Sequence, residues 1–364
     1  MQQKRLMFYI NTLGTGGAER VMSQLANHFC RNGYEVYLVT SFPVEDEYPV
    51  DKSVLRYSLE AQALSQSRLM RNISRITKLR KLCKDIKPHV LVSFMQEPNF
   101  RAILATAGLP VKTVISVRND PNREYSGKLG RLIGKYILPR ADGCVFQTAQ
   151  AQAWFPKKLQ EHSAIILNEV SESFFETKRT ASNHVVTLGR LNNQKNHTML
   201  IQAYSRIAEK YPGQNLLIYG KGENAEKLQQ LIQELNLQNR VMLMGPTNQV
   251  HDVLSKAGVF VLSSDYEGMP NALMEAMAVG VPCISTNCPC GGPEMLIQDR
   301  INGLLVPVDD AEAMADALDN LLSAPQTAQT LGEQARKDAR RYAPEKIFQE
   351  WKAFIDRYIE ESKL

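Results

Sequence analysis

The sequence has 364 residues and an ordinary globular composition, with 44% hydrophobic and 22% charged residues. A chain of this length exceeds what one hydrophobic core usually supports, so two domains of about 100–200 residues each are expected. No stretch approaches the roughly eighteen uninterrupted apolar residues of a membrane-spanning helix. We therefore expect a cytoplasmic protein that makes any membrane contact from its surface.

The distribution of charge and of cysteines gives further expectations about partners, disulfides and zinc. Residues 1–170 hold 24 Lys and Arg against 14 Asp and Glu, whereas the remainder holds 19 against 24, so the two halves are expected to face different partners. The cysteines are scattered, which argues against a disulfide framework, and no second Cys or His pair accompanies Cys288 and Cys290 at zinc-ligand spacing.

The first half begins with a strand, a glycine-rich turn, a helix and a second strand within about 40 residues. This order is typical of the βαβ unit of a parallel doubly wound sheet. Further strands are predicted at "HVLVSF", "KTVISV", "GCVFQT" and "AIILN", the first three of them preceded by helical segments.

After a polar, irregular joint near residues 168–183, the alternation of strands and helices restarts. Strands are predicted at "HVVTLGR", "NLLIYGKG", "VMLMG", "VFVLSS" and "PCIST". Three helices follow, the last of which places Phe348, Trp351, Phe354 and Tyr358 on one stripe, which indicates a packing face. The predicted fold class is α/β, with two consecutive doubly wound sheets.

Such sheets bind ligands beyond the carboxyl ends of their strands, so the loops there hold the candidate site residues. Gly16 and Gly17 follow the first strand and allow close approach of a phosphate, although a plain tight turn explains them equally well. Gly220 and Gly222 form a similar turn in the second half. Two cations, Arg190 and Lys195, suit the negative charge of a leaving diphosphate, or are solvated surface charges.

The stretch "SSDYEGMPNALMEAMAVGVPCIS" carries the most information. Pro270 predicts the first turn of a helix and Gly280 its end. The free amides at 271–273 (Asn271, Ala272 and Leu273) would then bind an anion, with the carboxylates of Glu267 and Glu275 on either side. Those carboxylates could accept hydrogen bonds from sugar and ribose hydroxyls, although acidic residues near helix starts are also common for electrostatic reasons alone.

Taken in order, "LGTGGAERV", "LGRLNNQKNH", "IYGKGE" and this stretch resemble a retaining GT-B glycosyltransferase of family 4, with its E-x7-E element at Glu267 and Glu275. The resemblance covers nearly the whole chain. It implies two Rossmann-like domains facing a cleft. Residues 1–170, completed by a C-terminal helix at 345–364, would bind the acceptor, and residues 171–344 the nucleotide-sugar.

The resemblance also implies roles for the candidate residues. Arg190 and Lys195 would bind and neutralise the donor diphosphate, Glu267 would contact sugar hydroxyls and Glu275 ribose hydroxyls. The backbone around 271–273 and the glycines at 16–17 and 220–222 would contact the donor. Members of this fold usually need no metal, no cofactor is implied because the nucleotide-sugar is a substrate, and no protein nucleophile is firmly implied.

One motif departs from the family. Many relatives have a sugar-contacting histidine after a central strand of the first domain, where this chain has Arg118, Asn119 and Asp120. Arg118 and Asn119 are therefore candidates for the sugar or acceptor contact. Among the histidines, His197 alone lies near the predicted site.

Two basic segments, Arg68–Lys87 and Lys128–Arg140, have apolar residues at helical spacing. A basic amphipathic helix attracts anionic lipid headgroups. We expect the apolar stripe of the first segment to pack on the sheet and its cations to dock on an anionic membrane. No aromatic-interleaved or helix-turn-helix pattern indicates a nucleic-acid partner.

These observations predict a retaining glycosyltransferase, peripheral on the inner face of the plasma membrane. It would move a hexose or N-acetylhexosamine from a nucleotide-sugar donor, with UDP favoured, to a lipid-linked glycan acceptor in bacterial surface polysaccharide or glycan synthesis. A nucleotide-sugar epimerase or hydrolase of the same fold, and a non-catalytic nucleotide-binding protein, are the alternatives.

Overall fold

The computed structural model describes residues 3–14, 16–60, 67–180 and 184–362. Thr15 of the first glycine turn, residues 181–183 of the predicted joint and residues 363–364 of the predicted C-terminal segment lie outside the described residues. Contacts within the chain define two compact units, Met1–Glu169 with Glu345–Leu364, and Val170–Pro344.

The first unit alternates strands and helices along the chain. Its elements are β1 (Arg5–Ile10), α1 (Gly17–Arg31), β2 (Glu35–Thr40), β3 (Leu55–Ser58), α2 (Arg68–Ile86), β4 (Val90–Phe94), α3 (Gln96–Thr106), β5 (Lys112–Ser116), α4 (Pro121–Glu124), α5 (Gly127–Leu132), a π turn (Ile133–Ile137), a 3₁₀ turn (Leu138–Arg140), β6 (Gly143–Phe146), α6 (Ala149–Ala153), α7 (Lys157–Glu161) and β7 (Ser163–Ile165).

The second unit repeats the alternation. Its elements are α8 (Glu172–Glu176), β8 (His184–Leu188), a 3₁₀ turn (Asn193–Lys195), α9 (His197–Ser205), β9 (Leu216–Tyr219), α10 (Ala225–Glu234), β10 (Val241–Gly245), α11 (Val250–Ser255), β11 (Ala257–Leu262), α12 (Asn271–Val279), β12 (Cys283–Thr286), α13 (Gly292–Leu296), β13 (Leu304–Val306), α14 (Ala311–Ser323), α15 (Pro325–Ala339) and a 3₁₀ turn (Arg340–Tyr342). The last helix of the chain is α16 (Pro344–Glu361).

Each unit is built on one parallel sheet. The strand order is β3-β2-β1-β4-β5-β6-β7 in the first unit and β10-β9-β8-β11-β12-β13 in the second. Each order reverses beside a central strand, between β1 and β4 in the first sheet and between β8 and β11 in the second. The predicted doubly wound α/β class is confirmed, and these reversals are where such sheets place their ligand sites.

The strands form where the sequence has apolar runs, because strands covered by helices on both faces bury nearly every side chain. Five of the six residues of β1 are buried, and so are all five of β4. The sequence did not predict β3, an edge strand whose four residues are all exposed. The predicted strand at residues 164–168 is shorter than expected, since pairing ends at Ile165.

The prediction that the apolar stripe of α2 packs on the sheet is wrong for its first half. Leu69 and Ile73 are 69% and 52% exposed, whereas Arg75 is buried and donates to both carboxylate oxygens of Glu60, at 2.9 and 2.8 Å. This bidentate ion pair compensates the buried guanidinium, so Arg75 occupies the inward position that an apolar residue would otherwise take. No helix within the described residues combines the length and apolarity needed to cross a bilayer.

Helix α16 belongs to the first unit although it follows the second unit in the chain. Its predicted aromatic stripe is buried, which confirms a packing face. The Trp351 ring centroid lies 5.7 Å from that of Phe94 on β4, and the Phe348 centroid lies 5.1 Å from that of Phe29 on α1. The helix thus fills part of the core beneath β1 and β4.

Replacing Trp351 by alanine should lower the free energy of unfolding by about 3–5 kcal/mol, because a fully buried indole would leave a cavity. Chemical denaturation followed by circular dichroism measures this loss. Lys346→Ala, on the exposed face of the same helix, should change stability by less than about 0.5 kcal/mol. Equal losses in the two variants would contradict the assignment of α16 to the core.

Candidate functional site

The candidate site of the second unit lies at the carboxyl ends of β8 and β11. These strands are neighbours, with Val186 paired to Phe260. The loop 189–196 follows β8 and the loop 263–270 follows β11. Of the predicted residues, Arg190 and Lys195 therefore lie on one loop and Glu267 on the adjacent one.

The structure brings Lys195 and Glu267 into direct contact. Lys195 Nζ lies 2.5 Å from Glu267 Oε1, and the same oxygen accepts a 2.6 Å hydrogen bond from Ser264 Oγ. Gln194 Nε2 lies 3.5 Å from the second oxygen, Oε2. The side chains of Lys195 and Glu267 are only 16% and 8% exposed, so water screens this ion pair weakly.

Arg190 lies at the start of the same loop and is exposed. Its backbone neighbours are held by the next loop of the sheet, because the Gly189 amide donates to the Tyr219 carbonyl at 3.0 Å and the Leu191 amide to the Lys221 carbonyl at 3.0 Å. Arg190 is thus an accessible cation on a fixed backbone, whereas Lys195 is engaged by a carboxylate.

Close backbone packing explains two of the predicted donor-binding glycines. A Cβ at Gly220 would lie 1.8 Å from the Gly189 carbonyl oxygen, and one at Gly222 would lie 2.3 Å from that of Leu191. No side chain fits at either distance, so both glycines let this turn pack against the loop that carries Arg190. Their direct contact with a donor stays a prediction.

The start of α12 differs from the prediction in two details. Pro270 is the residue before the helix, with an extended backbone, and does not lie in the first turn. The amide of Leu273 donates to the Pro270 carbonyl at 3.1 Å, so the expectation of a free Leu273 amide is wrong. Glu275 lies on the second turn and is 4% exposed, and Gly280 ends the helix as predicted, with φ +86°.

The remaining predicted residues lie in the first unit, at the carboxyl ends of β1 and β5. Gly16 precedes α1 and its amide donates to the Gly14 carbonyl at 2.8 Å, while Gly17 is the first helical residue. Half-buried Arg118 donates to Asn168 and lies over the Phe94 ring, 4.5 Å from its centroid. Asn119 Oδ1 accepts from the Asp120 amide at 2.9 Å.

Burial changes the pKa of two groups in the segment that follows β5. It lowers the pKa of Arg118 to about 9. It also raises the pKa of Glu124 to about 7, although a hydrogen bond from the Gln96 amide at 2.8 Å opposes that change. Sequence reasoning missed Glu124, whose one available signal was its place just after β5, six residues beyond Arg118.

His197, the histidine nearest the predicted site, begins α9 and is 2% exposed. Burial, with a smaller contribution from the Lys195 charge, lowers the pKa of His197 to about 4. At neutral pH its imidazole is therefore uncharged and adds no cation to the site.

Comparison with known proteins agrees with the fold. Residues 170–338 match the family model described as "Glycosyl transferases group 1", and residues 15–170 match that described as "Glycosyltransferase Family 4". Sucrose-phosphate synthase from Thermosynechococcus elongatus superposes with a TM-score of 0.87 at 19% identity, over 99% of this chain and 100% of that one. The fold and the two family matches define a GT-B glycosyltransferase.

Within that class, the chain belongs to glycosyltransferase family 4. It is 27% identical to an uncharacterised glycosyltransferase of Haemophilus influenzae, over 97% of this chain and 100% of that protein. It is also 27% identical to the Campylobacter jejuni N-acetylgalactosamine-N,N'-diacetylbacillosaminyl-diphospho-undecaprenol 4-alpha-N-acetylgalactosaminyltransferase, over 94% of this chain and 97% of that enzyme.

The depressed pKa of His197 predicts a loss of stability in acid. The ordinary pKa is 6.5 and the folded one about 4, so the unfolded chain binds the proton first as the pH falls. The contribution of His197 to the free energy of unfolding is fully present above the ordinary pKa. As the pH falls from 7 to 5, protonation of the unfolded chain should lower the free energy of unfolding by about 2 kcal/mol.

Chemical denaturation at both pH values tests this expectation. His197→Gln should show a smaller loss between pH 7 and 5 than the native protein, while His162→Gln, at an exposed position, should show the same loss. Equal pH dependence in the native and His197→Gln proteins would rule out a buried neutral imidazole as the cause.

Proposed function

We propose that this protein is a retaining glycosyltransferase that moves a hexose or N-acetylhexosamine from a UDP-linked donor to a lipid-linked glycan in bacterial surface polysaccharide or glycan synthesis. The observation that carries the proposal is the Lys195–Glu267 pair beside the exposed Arg190, at the switch point of the second sheet. The diphospho-undecaprenol named in the Campylobacter jejuni relative supports the kind of acceptor.

Sugar transfer breaks the bond between the anomeric carbon and the diphosphate and passes through an oxocarbenium-like state. Negative charge builds on the diphosphate, where Arg190 and Lys195 stabilise it without a metal ion or an organic cofactor. The acceptor hydroxyl forms the new bond on the same face, and its proton goes to a diphosphate oxygen. Glu267 orients the sugar through its hydroxyls, and Glu275 binds the ribose.

Two alternatives make different predictions. An epimerase or hydrolase of the same fold consumes the nucleotide-sugar when no acceptor is present. A non-catalytic protein binds the nucleotide and consumes nothing. The presence of both cations and both glutamates disfavours the non-catalytic alternative.

Nucleotide binding is the first test. UDP, GDP and their sugars are added to the purified protein, and the unfolding temperature is followed. We expect UDP and UDP-sugars to raise it, because a ligand that binds only the folded state stabilises that state. Failure of every nucleotide to stabilise the protein would count against transfer and against both alternatives. Donors that bind are then incubated with an undecaprenyl-diphosphate-linked disaccharide, and the products are identified by mass spectrometry.

Glu267→Gln should reduce the rate constant of transfer by about 100-fold or more, because the isosteric amide cannot accept hydroxyl hydrogen bonds as a carboxylate does. The same change releases Lys195, so UDP should bind at least as tightly as it does to the native protein. Steady-state kinetics and calorimetry measure the two effects. Glu234→Gln, exposed on α10, is the matched control, and unimpaired transfer by Glu267→Gln would exclude its proposed role.

The membrane contact belongs to the same proposal. In the segment Lys128–Arg140, Leu129, Leu132 and Tyr136 are 72%, 53% and 53% exposed, and the four cations of the segment are exposed beside them. Such a surface combines apolar side chains that can enter the lipid with charges that attract anionic headgroups.

The double variant Leu129→Gln with Leu132→Gln should bind vesicles of phosphatidylcholine and phosphatidylglycerol about tenfold or more weakly in a sedimentation assay, since each leucine contributes about 1.5–3 kcal/mol when buried. Ile301→Gln, at a 47% exposed position of the second unit, should bind like the native protein. Native binding that is the same with pure phosphatidylcholine vesicles would contradict the electrostatic part of the proposal.

A further inference from the structure

Asn196 lies between Lys195 and His197 and has a left-handed backbone, with φ +41° and ψ +48°. Asparagine tolerates this conformation better than most residues. Its side-chain oxygen accepts a 3.2 Å hydrogen bond from the Met199 amide and so caps α9. The conformation and the cap explain a small polar residue here, but they leave the side-chain nitrogen unexplained.

That nitrogen joins three loops at the carboxyl edge of the second sheet. Asn196 Nδ2 donates to Asp265 Oδ1 at 2.7 Å and to Asp309 Oδ1 at 3.1 Å. Asp265 follows β11 and Asp309 follows β13, while Asn196 itself follows β8. Hydrogen bonds to ionised carboxylates are stronger than those between neutral groups, so this one amide is a strong link between the loops.

Further hydrogen bonds connect the same loops on either side of the Lys195–Glu267 pair. The Asp265 amide donates to the Gln194 carbonyl at 2.8 Å, and Ser263 Oγ donates to the Lys195 carbonyl at 2.7 Å. Gln194 Nε2 donates to the Tyr266 carbonyl at 3.0 Å. The loop that carries Lys195 is therefore hydrogen-bonded to the loop that carries Glu267.

We infer that Asn196 is a positioning residue for the transfer reaction, holding the loop of Lys195 against the loop of Glu267 without touching the substrate. The inference rests on the function proposed above. The four-carbon stem of Lys195 is flexible, so the place of its ammonium group depends on a fixed backbone. A displacement of about 1 Å at a reacting centre can cost about 100-fold in rate.

Three variants distinguish the effect of the Asn196 side chain from the effect of its left-handed backbone. Asn196→Gly keeps the left-handed conformation and loses both the helix cap and the bonds to the two aspartates. Asn196→Asp keeps the helix cap but places a third carboxylate beside Asp265 and Asp309. Adding Asp265→Asn to Asn196→Asp restores an amide opposite a carboxylate. Asn236→Gly is the matched control, because Asn236 is another asparagine with a left-handed backbone, at φ +56°, and is exposed.

With the donor and acceptor found in the transfer assay, Asn196→Gly and Asn196→Asp should lower kcat by about 10- to 100-fold and change KM for the donor by less than about threefold. The double variant should recover about tenfold of the loss in Asn196→Asp. Asn236→Gly should keep the native kcat. A proportional rise in donor KM with unchanged kcat, or no recovery in the double variant, overturns the inference.

Hydrogen exchange at the Asp265 amide gives a readout that needs no substrate. Because this amide donates across the two loops, it should exchange about tenfold faster in Asn196→Gly than in the native protein or in Asn236→Gly. Unchanged exchange overturns the inference, whatever the substrate is. Failure of every nucleotide to bind the native protein overturns the proposed function instead, and the exchange result then tests only whether Asn196 holds the two loops together.

Discussion

The ion pair between Lys195 and Glu267 is the contact around which the polar edge of the second sheet is arranged. Both side chains are mostly removed from water, so either charge without the other would be costly. The loops that carry them are bonded to each other through backbone and side-chain groups, which makes the pairing a property of the backbone as well as of the charges. Arg190, outside this pair, is the cation that an incoming anion can reach without breaking an existing contact.

Much of the architecture could be predicted because parallel strands covered on both faces require runs of apolar residues, and the sequence contains these runs. The predictions fail where the burial of a residue does not follow from its hydropathy. The edge strand β3 exposes every side chain, so no apolar run marks it. The first half of α2 exposes Leu69 and Ile73 because a distant carboxylate, Glu60, makes the inward position favourable for Arg75. The pattern of apolar residues in α2 does not reveal an ion-pair partner that lies fifteen residues earlier in the sequence.

The candidate site shows the same division. Arg190, Lys195 and Glu267 could be placed at one edge of the sheet, because residues that follow parallel strands share that edge. Their pairing could not be predicted, since it depends on loop conformation and on uncharged partners such as Ser264, which donates to Glu267. The glycines at 220 and 222 were predicted from ligand approach, whereas the structure shows a nearer cause in the packing of one turn on another.

The position of α16 bears on how the protein is made. The first unit is interrupted in the chain by the whole second unit, and its core lacks the aromatic face of α16 until residues 345–361 have been synthesised. Domains commonly fold in order from the amino terminus during synthesis. Here the second unit can finish folding first, while the surfaces of Phe29 and Phe94 that α16 later covers remain exposed. The first unit of the nascent chain therefore exposes apolar surface that favours aggregation for as long as the second unit is being synthesised.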